Sequence, residues 1–225
     1  QTSFWALSRR GRRLVWRTYG NFQLLDIAPN ETGERLELLA TGAGTPRSLP
    51  LPGLASAEGA QFREDGKALY FAGNEPGQAA RIYALQLDDG NLRALTPPGT
   101  TFSYGAKCLS PDGKFIAGGP TSTDTFYGVE NGQARPLQGL LPGEVFIRWG
   151  LGSDSFYTFN RDLLPTRIFR ITAATGQREL VKTFMPADPV GTEGIQSVKM
   201  TPDGTAFAFN YHRTLSDLYL VEGLK

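Results

Sequence analysis

The sequence predicts an all-β protein, and within that class a β-propeller of four-stranded antiparallel blades. A tight-turn motif between two short apolar runs, clearest as LSPDGKFIAGG at residues 109–119, recurs along the 225-residue chain. The copies are spaced by about 40 to 55 residues, an interval typical of propeller blades. Short segments with alternating apolar residues, separated by turns rich in Gly, Asn and Asp, indicate strands, and no segment has convincing helical periodicity.

Five repeat units follow from aligning the turns. Near-copies of the motif occur at 7–16, 62–71 and 200–209. A degenerate copy, LGSDSFYTF, occurs at 151–159, with Asp154 aligned to the turn glycine Gly113. The predicted units are 4–41, 60–97, 105–138, 145–185 and 195–225, all within one propeller domain over residues 1–225. The last unit is incomplete because the sequence stops before a fourth strand. We expect a five-bladed ring, with a fragment of a larger propeller as the alternative.

Each unit is predicted to contain strand a, a tight turn, strand b, a loop, strand c, a turn and strand d. The first unit has strands at 4–7, 14–16, 22–27 and 35–39, and a polar connector at 41–59 follows it. The second has 60–62, 68–71, 81–87 and 92–95, and the third has 105–109, 115–117, 125–129 and 134–137. The fourth has 145–149, 156–159, 167–171 and 179–184, and the fifth has 195–200, 206–210 and 217–221.

The residues of the recurring turn are predicted to be structural. Proline restricts φ, aspartate accepts hydrogen bonds from the local backbone, and glycine adopts positive φ without steric conflict. These aspartates are therefore poor candidates for catalysis. The predicted turn residues are Gly11, Asp65, Gly66, Pro111, Asp112, Gly113, Pro202, Asp203 and Gly204.

Composition argues against several classes of site. With 23 basic and 22 acidic residues the net charge is +1, so no nucleic-acid partner is expected. The single cysteine, Cys108, excludes an internal disulfide, and one histidine and one cysteine exclude a His/Cys metal cluster. No G-x-S-x-G motif is present, and His212 is the only histidine available to a catalytic triad. The sequence therefore predicts a chain that is not an enzyme and holds no cofactor and no metal.

Loops that connect strands b and c leave a propeller on one face, together with the d–a connections. The predicted b–c loops are 17–21, 73–80, 118–124, 160–165 and 211–216. Clustered arginine and tyrosine side chains suit recognition of peptides, carboxylates or glycans. The candidate binding residues on this face are Arg17, Tyr19, Asn160, Arg161, Tyr211, His212 and Arg213.

The pattern "apolar run, SPDGK, apolar run" resembles the WD40-like (PD40) repeat of TolB-type propellers. The segments at 62–71, 109–117 and 200–209 carry the resemblance, with RIYALQL at 81–87 adding to it. The closing SDLYLVEGLK also resembles the C-terminus of bacterial, notably acidobacterial, eukaryotic-like serine/threonine kinases. In those proteins a kinase domain and a membrane span precede the repeats, and this chain has no kinase motif of its own.

The resemblance implies a ligand-sensing or protein-interaction propeller that forms the extracytoplasmic C-terminal part of a longer, membrane-anchored kinase. The alternatives are a TolB-like periplasmic scaffold or binding protein and, third, a propeller hydrolase or lyase. The expected ligand is a protein, peptide or glycan, and this chain itself is expected to make no membrane contact. An unpaired strand edge in the incomplete last unit would allow self-association.

Overall fold

The protein is described by a computed structural model. It covers the strand backbones 4–7, 13–19 and 22–26, and then residues 35–40, 45, 47–102, 108–120, 123–201 and 203–215. Over these residues all regular secondary structure is β, and none of it is a helix that could cross a membrane. The all-β prediction is therefore confirmed.

The strands pair in chain order into antiparallel sheets. The first sheet contains β1 (Phe4–Leu7), β2 (Arg13–Tyr19), β3 (Phe22–Asp26), β4 (Arg35–Ala40) and β5 (Arg47–Pro50). The second contains β6 (Ser56–Phe62), β7 (Ala68–Asn74), β8 (Arg81–Gln86) and β9 (Leu92–Ala94). The third contains β10 (Phe115–Gly118), β11 (Thr125–Gly128) and β12 (Ala134–Pro136). The fourth contains β13 (Glu144–Trp149), β14 (Ser155–Asn160), β15 (Thr166–Thr172) and β16 (Arg178–Phe184), and the fifth contains β17 (Thr192–Met200) and β18 (Phe207–Arg213).

The predicted connector at 41–59 and two predicted strand bounds in the fifth sheet are wrong. The connector predicted at 41–59 contains β5, which pairs with β4 through Leu36↔Leu49, and also the first half of β6. Leu36 and Leu49 are both buried, so tertiary packing creates a strand where the local sequence looks like a loop. In the fifth sheet, β17 and β18 are each three residues longer at one end than predicted. The predicted strand at 217–221 and most of the one at 105–109 lie outside the described residues.

The recurring turns have one shared geometry. Each aspartate accepts a hydrogen bond from the backbone N–H two residues later: Lys67 to Asp65 at 2.9 Å, Lys114 to Asp112 at 3.1 Å and Thr205 to Asp203 at 3.1 Å. The glycines have the positive φ that this turn requires: 71° at Gly66, 71° at Gly113 and 74° at Gly204. Pro111 lies in the turn before Asp112, whereas Gly11 and Pro202 lie outside the described residues.

The core lies between consecutive sheets. One buried cluster joins the first two sheets through Leu36 and Phe71, and another joins the fourth and fifth through Ile168 and Val198. The largest cluster spans the second, third and fourth sheets. Its centre is aromatic, with the rings of Phe126 and Trp149 stacked at a centroid distance of 4.6 Å. The sheets therefore pack face against face in chain order, as propeller blades do.

Side chains of the first strands cross from sheet to sheet. The Gln61 Oε1 atom accepts a hydrogen bond from the Cys108 backbone N–H at 3.1 Å, and the Trp149 indole N–H donates to the Cys108 carbonyl at 2.9 Å. Arg148 donates from Nη1 to the Met200 carbonyl at 2.8 Å. These bonds link the second sheet to the third, the third to the fourth and the fourth to the fifth. They place β6, Cys108, β13 and β17 side by side.

Among the described residues only the second and fourth sheets have four strands, so four-stranded blades stay a prediction. The third sheet adds an isolated bridge, Leu109↔Ile116, where strand a is predicted. No strand pairing among the described residues joins the last sheet to the first. The number of blades and the closure of the ring therefore stay predictions.

Candidate interaction surface

Three connections meet at the ends of β14, β16 and β18, and we call them the loop surface: residues 161–165, 185–191 and 214–215. The Ile195 N–H donates to the Arg161 carbonyl at 3.1 Å, which attaches the first connection to β17. The Thr214 N–H donates to the Gly191 carbonyl at 2.9 Å, which attaches the third connection to the second. The loop surface is thus one continuous backbone structure contributed by the fourth and fifth sheets.

The structure places most of the predicted binding residues on strands, which corrects their prediction as loop residues. Arg17 and Tyr19 belong to β2, and their side chains lie outside the described residues. Asn160 is the last residue of β14, and its side-chain oxygen accepts a hydrogen bond from the Asp162 N–H at 2.9 Å. Arg161 is an exposed residue of the loop itself.

Tyr211, His212 and Arg213 extend β18 instead of beginning a loop, because they pair with β17 as far as Thr192↔Arg213. Side chains alternate along a strand, so Tyr211 and Arg213 share one face and His212 lies on the other. The Tyr211 ring is the exposed end of an aromatic row, 6.3 Å from the ring of Phe209. The predicted cluster is therefore divided between two faces of the sheet.

Arg213 is held in place by the middle connection of the loop surface. Its Nη2 atom lies 2.5 Å from Asp188 Oδ2, and its Nε–H donates to the Val190 carbonyl at 2.9 Å. The Thr214 hydroxyl donates to the Glu193 carboxylate close by. The arginine thereby fixes the conformation of residues 188–190 and leaves part of its guanidinium at the surface.

Exposed aliphatic side chains lie within the loop surface, and the sequence analysis did not identify them. Leu163 is 59% exposed, Val190 67% and Leu215 69%. A Leu215 methyl carbon lies 3.6 Å from the position that a Cβ at Gly191 would occupy, so the second and third connections are in contact. In the sequence, the only sign of these residues is a single apolar residue in each polar loop. Such residues are common on protein surfaces, and they indicate a site only when they lie together in the structure.

The described residues contain no group of three or more His, Cys, Asp or Glu side chains that could hold a metal ion. His212 lies exposed on β18, with Asn210 on the same face of the strand. The loop surface is therefore best described as apolar side chains beside a fixed arginine–aspartate pair, an arrangement suited to binding.

The sequence matches no protein-family model and no curated protein. Solved structures do resemble the fold. TolB from Acinetobacter baumannii is 16% identical with a TM-score of 0.54, covering 87% of this chain and 45% of that one. An oligogalacturonate lyase in complex with manganese is 14% identical with a TM-score of 0.58, covering 96% and 67%. A puromycin-hydrolyzing peptidase from Mycobacterium tuberculosis is 19% identical with a TM-score of 0.52, covering 85% and 30%.

These likenesses show a TolB-like β-propeller fold. The chain spans less than half of the length of the Acinetobacter TolB and under a third of that of the peptidase. They also correct one prediction, that this chain is not an enzyme. Solved structures with the same fold include a lyase and a peptidase, so the shortage of histidine and cysteine is not a valid ground for that conclusion. The resemblance to kinase C-termini is not supported by these likenesses and stays a prediction.

Proposed function

We propose that this chain is a TolB-like binding propeller that recognises an extended peptide segment of a protein partner on its loop surface. The observation that carries the proposal is the pair of exposed aliphatic side chains Val190 and Leu215, which lie on contacting connections. The fixed Arg213–Asp188 pair lies beside them, and Leu163 is exposed on the first connection of the loop surface. Apolar anchors surrounded by polar groups are typical of protein-interaction sites.

The magnitudes are sufficient for a measurable affinity. Full burial of one Val or Leu side chain contributes about 1.5–3 kcal/mol, so three partly buried ones contribute several kcal/mol before the cost of association is subtracted. Because Asp188 and Val190 already hold Arg213, its side chain loses little conformational freedom when a ligand binds. A short peptide is therefore expected to bind with a dissociation constant on the order of micromolar.

The test is selection of peptides from a random library on the immobilised chain, followed by fluorescence-polarisation titration of the selected peptides. The variants Leu163→Asp, Val190→Asp and Leu215→Asp are each expected to weaken binding about tenfold or more. Leu151→Asp is the matched control, because Leu151 is 71% exposed but precedes the opposite end of β14. Failure to select any peptide, or equal loss of binding in the control, would refute the proposal.

The same preparation is to be assayed for cleavage of oligogalacturonate with Mn²⁺ and of short peptides, because a lyase and a peptidase share the fold. Turnover by the unmodified chain would replace the binding proposal with a catalytic one. Leu163→Asp would then show whether the loop surface contributes to substrate binding, through its effect on KM.

The proposal has a finer part that rests on the sequence resemblance. We propose an extracytoplasmic location and attachment to a bacterial serine/threonine kinase as its C-terminal region. The closing SDLYLVEGLK and the repeat pattern support this. Sequencing the gene upstream of the codon for Gln1 tests it: kinase motifs followed by a membrane span are expected, and an upstream region without them would refute the kinase part.

A further inference from the structure

We propose that Arg148 and Tyr157 form a carboxylate-binding site near the turns between the first two strands of the sheets, away from the loop surface. Arg148 lies on β13, and Tyr157 is its partner on β14 in the register Arg148↔Tyr157. Their side chains therefore leave the fourth sheet on the same face and at the same level. The proposal is independent of the proposed function, because none of its residues belongs to the loop surface.

Arg148 is a half-buried cation with no carboxylate within ion-pair distance among the described residues. Its Nε–H donates to the Trp149 carbonyl at 3.0 Å, and Nη1 donates to the Met200 carbonyl at 2.8 Å. A guanidinium has five N–H donors, so three remain, including both on Nη2. Other arginines of comparable burial, Arg81 and Arg178, each pair with a glutamate.

The remaining donors reach solvent. Within the described residues, neither Arg148 Nη2 nor the Tyr157 hydroxyl makes a hydrogen bond. Neither of them is a fully buried polar atom without a partner, so both keep some contact with solvent. Two donors, one of them charged, are thus available at one place. A guanidinium beside a hydroxyl is the donor set that a carboxylate accepts well.

Gly204 lies close to the Tyr157 hydroxyl. A Cβ at this position would lie 3.1 Å from the hydroxyl oxygen, closer than nearly all ordinary contacts, so a larger residue here would crowd the hydroxyl. The turn that contains Gly204 belongs to the fifth sheet, and Arg148 also reaches this sheet through the Met200 carbonyl. The site therefore lies where the fourth and fifth sheets meet.

The surrounding charges select for a single negative charge. Burial lowers the pKa of Arg148, and the phenol of Tyr157 and the carboxylates of Glu64 and Asp203 oppose this shift. The guanidinium stays charged in either case. The two carboxylates would repel a phosphate dianion more strongly than a carboxylate, so a monocarboxylate is the expected ligand.

The experiment uses N-acetyl-trialanine with a free C-terminal carboxylate and its C-terminal amide, titrated into the ¹⁵N-labelled chain and followed by NMR. A third peptide, N-acetyl-Ala-Glu-Ala-amide, distinguishes a side-chain carboxylate from a chain terminus as the source. We expect shifts of the Trp149 indole and Gly204 amide signals with at least one of the two carboxylate peptides. The amide and inorganic phosphate are expected to bind about tenfold more weakly or not at all.

Arg148→Met and Tyr157→Phe are expected to weaken carboxylate binding about tenfold and severalfold, and Arg148→Lys is expected to retain part of it. Arg93→Met is the matched control, because it removes an exposed arginine of β9 in the second sheet, away from both proposed sites. Circular dichroism and urea unfolding establish that each variant is folded, and Arg148→Lys keeps the test valid if Arg148→Met does not fold. Equal binding of acid and amide peptides, or unchanged binding in Arg148→Lys and Tyr157→Phe together, would overturn the proposal.

Discussion

Removal of the Arg178 guanidinium is expected to destabilise the protein strongly, because it leaves a buried carboxylate without its cation. Glu144 is 4% exposed at its side chain and Arg178 is 20% exposed, and Arg178 reaches Oε1 at 2.5 Å and Oε2 at 2.8 Å. Glu144 also accepts the Leu141 N–H at 3.0 Å, and Arg178 donates to the Gly139 carbonyl. The pair thus attaches the connection between the third and fourth sheets to β13 and β16.

The magnitude follows from this burial. Removing one partner of a buried ion pair costs about 3–5 kcal/mol, because the other charge stays desolvated. Arg178→Met should therefore lower the free energy of unfolding by about that amount. Glu144→Gln retains the shape and loses only the charge, so about 1.5–3 kcal/mol is expected. The double variant should be more stable than the sum of the single effects predicts, because no unpaired charge remains.

Urea unfolding followed by circular dichroism measures these effects as shifts in midpoint at constant slope. Arg213→Met is the matched control: its pair with Asp188 has the same 2.5 Å separation, but the side chains are 33% and 55% exposed. An exposed pair contributes about 0–1 kcal/mol. Equal destabilisation by Arg178→Met and Arg213→Met, or strict additivity in the double variant, would show that burial does not determine the contribution of the pair.

Three further variants test the turns and the core. Gly113→Ala, at φ 71° with no atom closer than 3.7 Å to the new Cβ, should lose about 1–2 kcal/mol from backbone strain alone, and unchanged urea unfolding would contradict this. Trp149→Phe removes the indole donor from the buried Cys108 carbonyl, which keeps the Ala117 N–H, so about 0.5–1.5 kcal/mol for one hydrogen bond plus a cavity term should be lost in the same assay. The Thr201 hydroxyl lowers the pKa of Asp203, so this carboxylate stabilises the fold above pH about 4 and loses that contribution as the pH falls through its lowered pKa. Asp203→Asn should therefore show a weaker dependence of unfolding on acid pH, and identical pH profiles would refute the assignment.

The turns could be predicted from the sequence because their chemistry is local. Asp65 and Gly66 are adjacent, and the hydrogen bond that closes the turn spans two residues. The same bond recurs at Asp112 and Asp203, so one motif accounts for three sheets. In the fourth sheet the Gly150 N–H donates to the Ser155 carbonyl, as the Ser110 N–H donates to the Phe115 carbonyl in the third. Gly150 is therefore equivalent to Ser110, and Ser153, not Asp154, is equivalent to Gly113. Without the aspartate–glycine pair, the sequence left that turn misaligned by one residue.

The strand β5 could not be predicted, because its reason lies in another part of the chain. Its four residues, RSLP, show no alternation long enough to indicate a strand. Only Leu49 is buried, and it is buried against the first two sheets through a pairing with Leu36. The extension of β18 past Asn210 has a similar origin, since Arg213 pairs with Thr192 of β17. In both places pairing with a neighbouring strand determines the structure. Residues that are predicted as loop therefore form an edge strand in β5 and the end of a strand in β18.

The two ends of the sheets differ in how strictly their structure is specified, and this difference suits two kinds of site. At the turn end, the same hydrogen bond from a backbone N–H to an aspartate carboxylate recurs in three sheets, and Arg148 and Tyr157 project from paired strands next to it. Rigid elements of this kind hold donors in fixed positions, which recognition of a small anion requires. At the loop end the connections differ in length and sequence, and apolar side chains such as Val190 remain exposed. Loops on a rigid scaffold vary without loss of the fold, so this end is the one expected to acquire affinity for a protein partner.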